Sequence, residues 1–349
     1  MNRVKLFLVF FSVLILNQSC SEEYNVEEGF GGVYLELSSS SKQVGEEISV
    51  GVITENDNTD VTSDSEIYVN GQKIEGTSFT MDEVGIYDVE ARFDIYTTDP
   101  VQVEFYDGFV INFRKRVLVE DYTGTWCGWC PRISFALGLV KEQTDDAVLV
   151  AIHRAPSGTS DPYTFDGADP LEALINAPGY PKGFLNRLNR WSFPEPDNIG
   201  EVVGLTQGLN PKLGLKVNST TEGNTYNLDV GVRFSNNFSG LKLVVYILED
   251  GLVYPQVNYT SYYNTNPIPD YVHDYTLRHT LTDILGESIS ESDSRVNQEY
   301  MRTFSFEMPE VVDNPNNARF VAFVVDEEGH VLNVREASIG EGQDYEILE

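Results

Sequence analysis

The segment Trp126-Cys127-Gly128-Trp129-Cys130-Pro131 constrains this chain more than any other. An apolar run at 117–119 leads into it, and Ile133, Ala136, Leu137 and Val140 follow at the spacing of a helix with one buried face. The pattern predicts strand, turn and helix, with two thiols where the turn becomes the helix. A cysteine at the positive end of a helix is stabilised as the thiolate, and its pKa in such settings falls to roughly 3.5–7.5. Cys127 is therefore expected to cap the helix, meet solvent and attack, and Cys130, one turn further in and more buried, to resolve the mixed disulfide. The remaining cysteine, Cys20, stands far away, so no disulfide framework is available and a zinc ion would lack its four ligands. A permanently oxidised structural pair is the alternative use of the same residues.

Around this motif the sequence reads as three blocks. Residues 33–112 alternate in short runs divided by turn residues, with Asn70-Gly71 placed as a two-residue hairpin turn, and predict an Ig-like β-sandwich. Residues 113–210 continue from the helix to a buried strand at 147–152, a short helix at 169–176 and a strand at 183–188. A turn into 191–193 and a helix at 198–209 complete the order βαβαββα. Residues 211–349 return to strands and predict a second, larger β-sandwich. The expected fold class is multidomain, α/β plus all-β. A long connection at 257–294, rich in Tyr, Pro and polar residues, exceeds what a structureless loop in a compact domain allows.

The first 19 residues read as a targeting signal. Arg3 and Lys5 precede a run at 6–16 that is apolar but for Ser12, and the polar residues 17–19 end at Cys20. A spanning helix needs about 20 apolar residues, so the run is too short to serve as one. The arrangement resembles a bacterial lipoprotein signal, which implies cleavage before Cys20, lipidation of that cysteine and a tether over 20–32. Asn17 departs from the Leu or Val usual three positions before the cysteine. Ser21-Glu22-Glu23 resembles the acidic signal that carries Bacteroidetes lipoproteins to the outer face of the outer membrane. The chain carries 55 acidic against 23 basic residues, a net charge of -32, which repels a phosphate backbone and excludes nucleic acid as a partner.

The middle block resembles the thioredoxin superfamily over about 117–209. In that family a tryptophan precedes the cysteine pair, as Trp126 does here. Pro181, preceded by Tyr180, matches the cis-proline that lies against the disulfide and offers its neighbour's backbone to an extended substrate. Asp121, six residues before Cys127, falls where the family has a buried acid that relays the proton of the resolving cysteine. The dipeptide Gly128-Trp129 departs from Gly-Pro, and the absence of a histidine between the cysteines tilts the expected role toward reduction or exchange. The whole arrangement looks like the thioredoxin-fold outer-membrane lipoprotein family of Bacteroidetes. It implies a thioredoxin-like domain between two β-sandwiches and a lipid-anchored protein, surface-exposed or facing the periplasm, acting on protein thiols or disulfides without cofactor or metal. The rival expectation is a non-catalytic surface lipoprotein that uses the same scaffold to bind protein or glycan. His153, at the end of the second strand, and His273 and His279, in the long connection, read as packing or loop residues and not as ligands.

Overall fold

The computed structural model describes residues 32–106, 111–296 and 298–348. The signal segment, Cys20 and residues 20–31 of the expected tether lie outside them. Among the described residues no helix is long and apolar enough to cross a membrane.

The first block forms two facing sheets. One is ordered Val33–Leu37, Glu47–Thr54, Ser78–Thr80, and the other Ser41–Gln43, Val101–Tyr106, Gly85–Phe93, Glu66–Val69, Gln72–Lys73. Alternation places Ile48, Val50 and Val52 from one sheet against Val89, Ala91, Val103 and Phe105 from the other in a single core. Asn70-Gly71 joins Glu66–Val69 to Gln72–Lys73, and both residues have positive φ.

The rest of the chain is organised by one nine-stranded sheet. Its order is Asn189–Arg190, Lys182–Leu185, Val117–Thr123, Ala147–His153, Thr276–Thr280, Lys242–Glu249, Ala318–Val325, Val331–Ser338, with Glu287–Ser288 paired to Lys242–Glu249. Val117–Thr123 and Ala147–His153 run parallel and are buried along their whole length, so both faces of this part of the sheet are covered. Helices α1 (Pro131–Gln143) and α3 (Ile199–Leu205) cover one face through Ile133, Ala136, Val140, Ile199 and Val202. On the other face Leu118, Val148, Val150 and Ile152 share a core with Leu171 of α2 (Asp169–Ile175) and with Val244, Tyr246, Val321 and Phe323. Residues Leu243, Val245 and Ile247 point the opposite way, toward a three-stranded sheet of Leu213–Glu222, Thr225–Phe234 and Glu299–Glu307.

This architecture corrects the expected fold class. Strand makes up 43% of the structure and helix 12%, and residues 113–210 do not close as a separate thioredoxin-like α/β domain. The reason lies in the outer edge of Ala147–His153. An apolar parallel strand with one free edge leaves backbone groups unpaired, and Thr276–Thr280 takes that edge, with Ala151 donating to the Tyr275 carbonyl at 2.8 Å. Strands from the last third of the chain then continue the same sheet. The second layer of the expected C-terminal sandwich is thus the sheet that carries the cysteine motif. Ile347–Leu348 pairs back onto Asn112–Phe113, so the end of the chain is tied to the junction after the first block.

Candidate functional site

Cys127 and Cys130 form a disulfide, with Cα atoms 5.4 Å apart. Proline is favoured at the first helical position because it lacks the amide hydrogen that would go unpaired there, and α1 begins at Pro131 with Cys130 as its N-cap. Cys127 therefore lies one turn ahead of the cap that sequence spacing had assigned to it. Nor does it meet solvent freely, being 4% exposed, while Cys130 is 1% exposed.

What covers Cys127 is the long connection. Residues 252–273 fold into a hairpin whose arms pair through Leu252–Val253 with Val272–His273 and through Gln256 with Ile268. Its tip is tied by Asn258, whose Nδ2 donates to the carbonyls of Tyr263 and Thr265 at 3.1 Å and whose Oδ1 accepts from Thr260 N and Oγ1 at 2.9 and 2.7 Å. This strap lies along the cysteine turn. Val257 N donates to Thr125 O at 2.9 Å and Tyr259 N to Gly128 O at 2.7 Å. Buried Gln256 donates through Nε2 to Cys127 O at 3.0 Å and Gly124 O at 3.3 Å. Glycine at position 128 follows from the same contact, since a Cβ there would collide with the Tyr259 ring. These strap residues were not singled out from sequence as parts of the site, although the excessive length of the connection was a signal.

Asp121 sits in Val117–Thr123 on the α1 face, in register with Ala151 and Gly183. Its neighbour Glu120 faces the other way into a buried pair with Arg187 at 3.1 Å. Asp121 is 1% exposed, and its Oδ1 has no hydrogen-bond partner among the described residues. Burial, reinforced by Glu195, pushes its carboxyl well above the usual carboxylate range, and Arg132 opposes this only in part. The native state thus keeps a proton that the unfolded chain releases near pH 3.8, so stability falls as pH rises from there through the native pKa. Asp121→Asn, measured by urea unfolding across a pH series, is expected to remove that fall. At neutral pH it should stabilise the protein, because the neutral amide avoids the cost of ionising a buried carboxyl. A variant with the parental pH profile would show that Asp121 is charged in the native state.

A cavity of about 80 Å³ lies between this strand and the strap, lined by Asp121, Ser134, His153, Gln256, Tyr271 and His273 among others. His153 Nδ1 meets Asp161 Oδ2 at 2.8 Å, and the same oxygen accepts from Thr125 N at 2.7 Å, tying the loop after the second strand to the cysteine turn. Burial works against the Asp161 anion, but the His153 hydrogen bond and charge and the amides of Thr125 and Tyr163 outweigh it and hold its pKa low. The His273 ring meets that of His153 edge to face, with centroids 5.1 Å apart, and its pKa is pushed down to about 4, by burial first and by His153 second.

Trp126 and Tyr180 meet edge to face at 5.6 Å, and Trp126 Nε1 donates to Arg154 O at 2.8 Å. The Tyr180-Pro181 bond is cis. Glu172 of α2 anchors this corner, accepting from Tyr180 Oη at 2.6 Å, from buried Lys182 at 3.1 Å and from Arg154 at 3.1 Å. Burial and the adjacent Glu172 raise the Tyr180 hydroxyl to about 12, so it remains a donor. Exposed aromatic surface adjoins the turn at Trp129, Tyr259 and Phe193.

Fold and site together define a β-rich protein with an oxidised, nearly buried C-x-x-C pair at the end of a mixed sheet. Residues 168–343 match the family of the outer membrane protein Omp28, and the chain belongs to that family. It is an outer-membrane protein. The matched span starts beyond Cys130, so membership does not depend on the cysteines. No curated protein matches the sequence. Among solved structures the chain is similar to HBP35 of Porphyromonas gingivalis, at 17% identity and a TM-score of 0.50 over 66% of this chain and 77% of that one. A protein from Agrobacterium tumefaciens is 16% identical with a TM-score of 0.39, over 65% of this chain and 96% of that one. The first likeness is one of fold; the second is too slight to support an argument.

Proposed function

We propose that this outer-membrane protein is a thiol-disulfide oxidoreductase of the cell envelope, held by lipid on Cys20 and acting on protein thiols or disulfides. The observation that carries the reading is the Cys127–Cys130 disulfide at the start of α1 with an acid of raised pKa, Asp121, buried in the preceding strand. It rests on the local resemblance of the cysteine motif and Tyr180-Pro181 to thioredoxin-superfamily sites, not on the overall architecture.

In the reduced protein the Cys127 thiolate attacks one sulfur of a substrate disulfide, and the other substrate sulfur leaves as a thiolate. In the molecules whose Asp121 has ionised, above its raised native pKa, Cys130 then passes its proton to that carboxylate and attacks the Cys127 sulfur. The protein disulfide re-forms, the second substrate sulfur departs, and two electrons have passed to the substrate. A carboxyl whose pKa is lifted toward that of a thiol is matched to such a transfer. Trp126, Tyr180 and Pro181 position the substrate chain.

Equilibration of the purified protein with glutathione tests this. A potential near -270 mV assigns reduction and one near roughly -120 mV oxidation. Cys130→Ser should accumulate mixed disulfides with envelope proteins, because the first attack survives and the second is lost. A pair that stays oxidised at every accessible poise, with nothing trapped, defeats the reading. A non-catalytic surface-binding protein then becomes the better account, and the strap over Cys127 favours it. In that role the disulfide is structural, and the exposed rings of Trp129, Tyr259 and Phe193 hold a protein or glycan.

A further inference from the structure

We propose that the hairpin tip at 326–330 is a binding site for a divalent transition-metal ion of the zinc type, formed by Asp326, Glu328 and His330. The tip joins Ala318–Val325 to Val331–Ser338 and is closed by Asp326 N donating to His330 O at 3.0 Å and Gly329 N to Asp326 O at 3.1 Å. Asp326 Oδ1 accepts from the amides of Glu328 and His330 at 3.0 and 2.9 Å, which fixes that carboxylate and turns its other oxygen inward. Asp326 Oδ2 and Glu328 Oε2 each lie 3.4 Å from His330 Nδ1, and one ligand atom from each of the three residues falls within 4.8 Å of the others.

Those distances decide between two uses of the cluster. At 3.4 Å the contacts exceed the 2.7–3.2 Å range of a good N–H···O hydrogen bond. They equal the ligand-to-ligand edge of a tetrahedron with bonds of about 2.1 Å, the usual zinc distance to nitrogen and oxygen, which is about 3.4 Å. Imidazole with two carboxylates suits zinc and its neighbours in the first transition row better than calcium, which takes six to eight oxygens. The frame is also held in place. Gly329 has a φ of 90°, and Leu174 of α2 lies where its Cβ would project, so the tip is docked against a helix. Asp326 and His330 are 32% exposed and Glu328 78%, which leaves the fourth position open to water. A net charge of -32 raises the local concentration of cations around such a site.

The test uses the purified, tag-free protein in its oxidised form, so that Cys127 and Cys130 cannot compete for metal. Calorimetric titration with Zn²⁺ should show one saturable equivalent, and Co²⁺ at the same site should give the visible absorption of a tetrahedral ion. His330→Ala and Glu328→Gln alter an exposed tip and are each expected to weaken binding roughly tenfold or more, while His279→Ala leaves it unchanged. Added Zn²⁺ should raise the thermal midpoint of the parent protein and not of His330→Ala. Absence of saturable binding, or equal binding by parent and His330→Ala with unchanged far-UV dichroism, overturns the site.

Discussion

Asn258→Ala should speed reduction of the Cys127–Cys130 disulfide by a small dithiol at least about tenfold. The strap must lift before a reductant reaches Cys127, so the rate follows the free energy of that local opening. Asn258 supplies four hydrogen bonds inside the strap tip, at 3.1, 3.1, 2.9 and 2.7 Å. At about 0.5–1.5 kcal/mol each, their loss lowers the opening free energy by about 2 kcal/mol or more. Every 1.4 kcal/mol or so is a factor of ten in the open population. Gln256→Ala, which frees the Cys127 carbonyl, should act in the same direction. The check is a stopped-flow reduction series with global stability measured alongside. An unchanged rate in both variants would mean that the strap does not control access to the sulfur.

The second large effect is acid destabilisation through His273. Its imidazole is buried in the strap arm, donates from Nε2 to Tyr254 O at 3.1 Å, and is held neutral down to about pH 4. The unfolded chain protonates the same group near 6.5, so between 6.5 and 4 the unfolded state binds more protons. Stability is fully present above that window and is lost as pH falls through it, by about 3 kcal/mol for a shift of this size. His273→Phe keeps ring contacts toward His153, Tyr163 and Tyr271 and cannot titrate. Its urea midpoint is expected to vary much less over the same range. Parallel pH profiles for parent and variant would assign the acid sensitivity elsewhere. Since His273 sits in the strap, acidification should also expose Cys127 to reductants.

Sequence legibility was uneven for physical reasons. The cysteine turn, Val117–Thr123, Ala147–His153 and α1 were readable because their periodicity is fixed by burial on both sides. The hairpin at Asn70-Gly71 was readable because few residue pairs tolerate its backbone. Strand pairing was not: Thr276–Thr280 reads Thr-Leu-Arg-His-Thr, a polar stretch in an apparent loop. Its membership in the sheet is decided by the open edge of a strand far earlier in the chain. A separate α/β domain was expected for that reason. The same distance in sequence hid Gln256, Asn258, Tyr259 and His273 from the candidate site. Which way Asp121 faces was settled by its neighbour, because buried Arg187 claims Glu120 for the opposite face.

The order in which the chain is made has a bearing on the cysteine pair. Cys127 and Cys130 leave the translocation channel long before Gln256 and Tyr259, the residues that close over them, and longer still before Ala318–Val325 and Val331–Ser338 extend their sheet. During export the two thiols are therefore presented bare to the envelope's oxidants, and the lid arrives afterwards. A chain cut short of the strap would keep its sulfurs open, with the apolar edge of Ala147–His153 unpaired beside them. Quality control in the envelope would meet that half-made protein as a sticky, thiol-reactive species. The finished one conceals both hazards with a single hairpin and the strand that follows it.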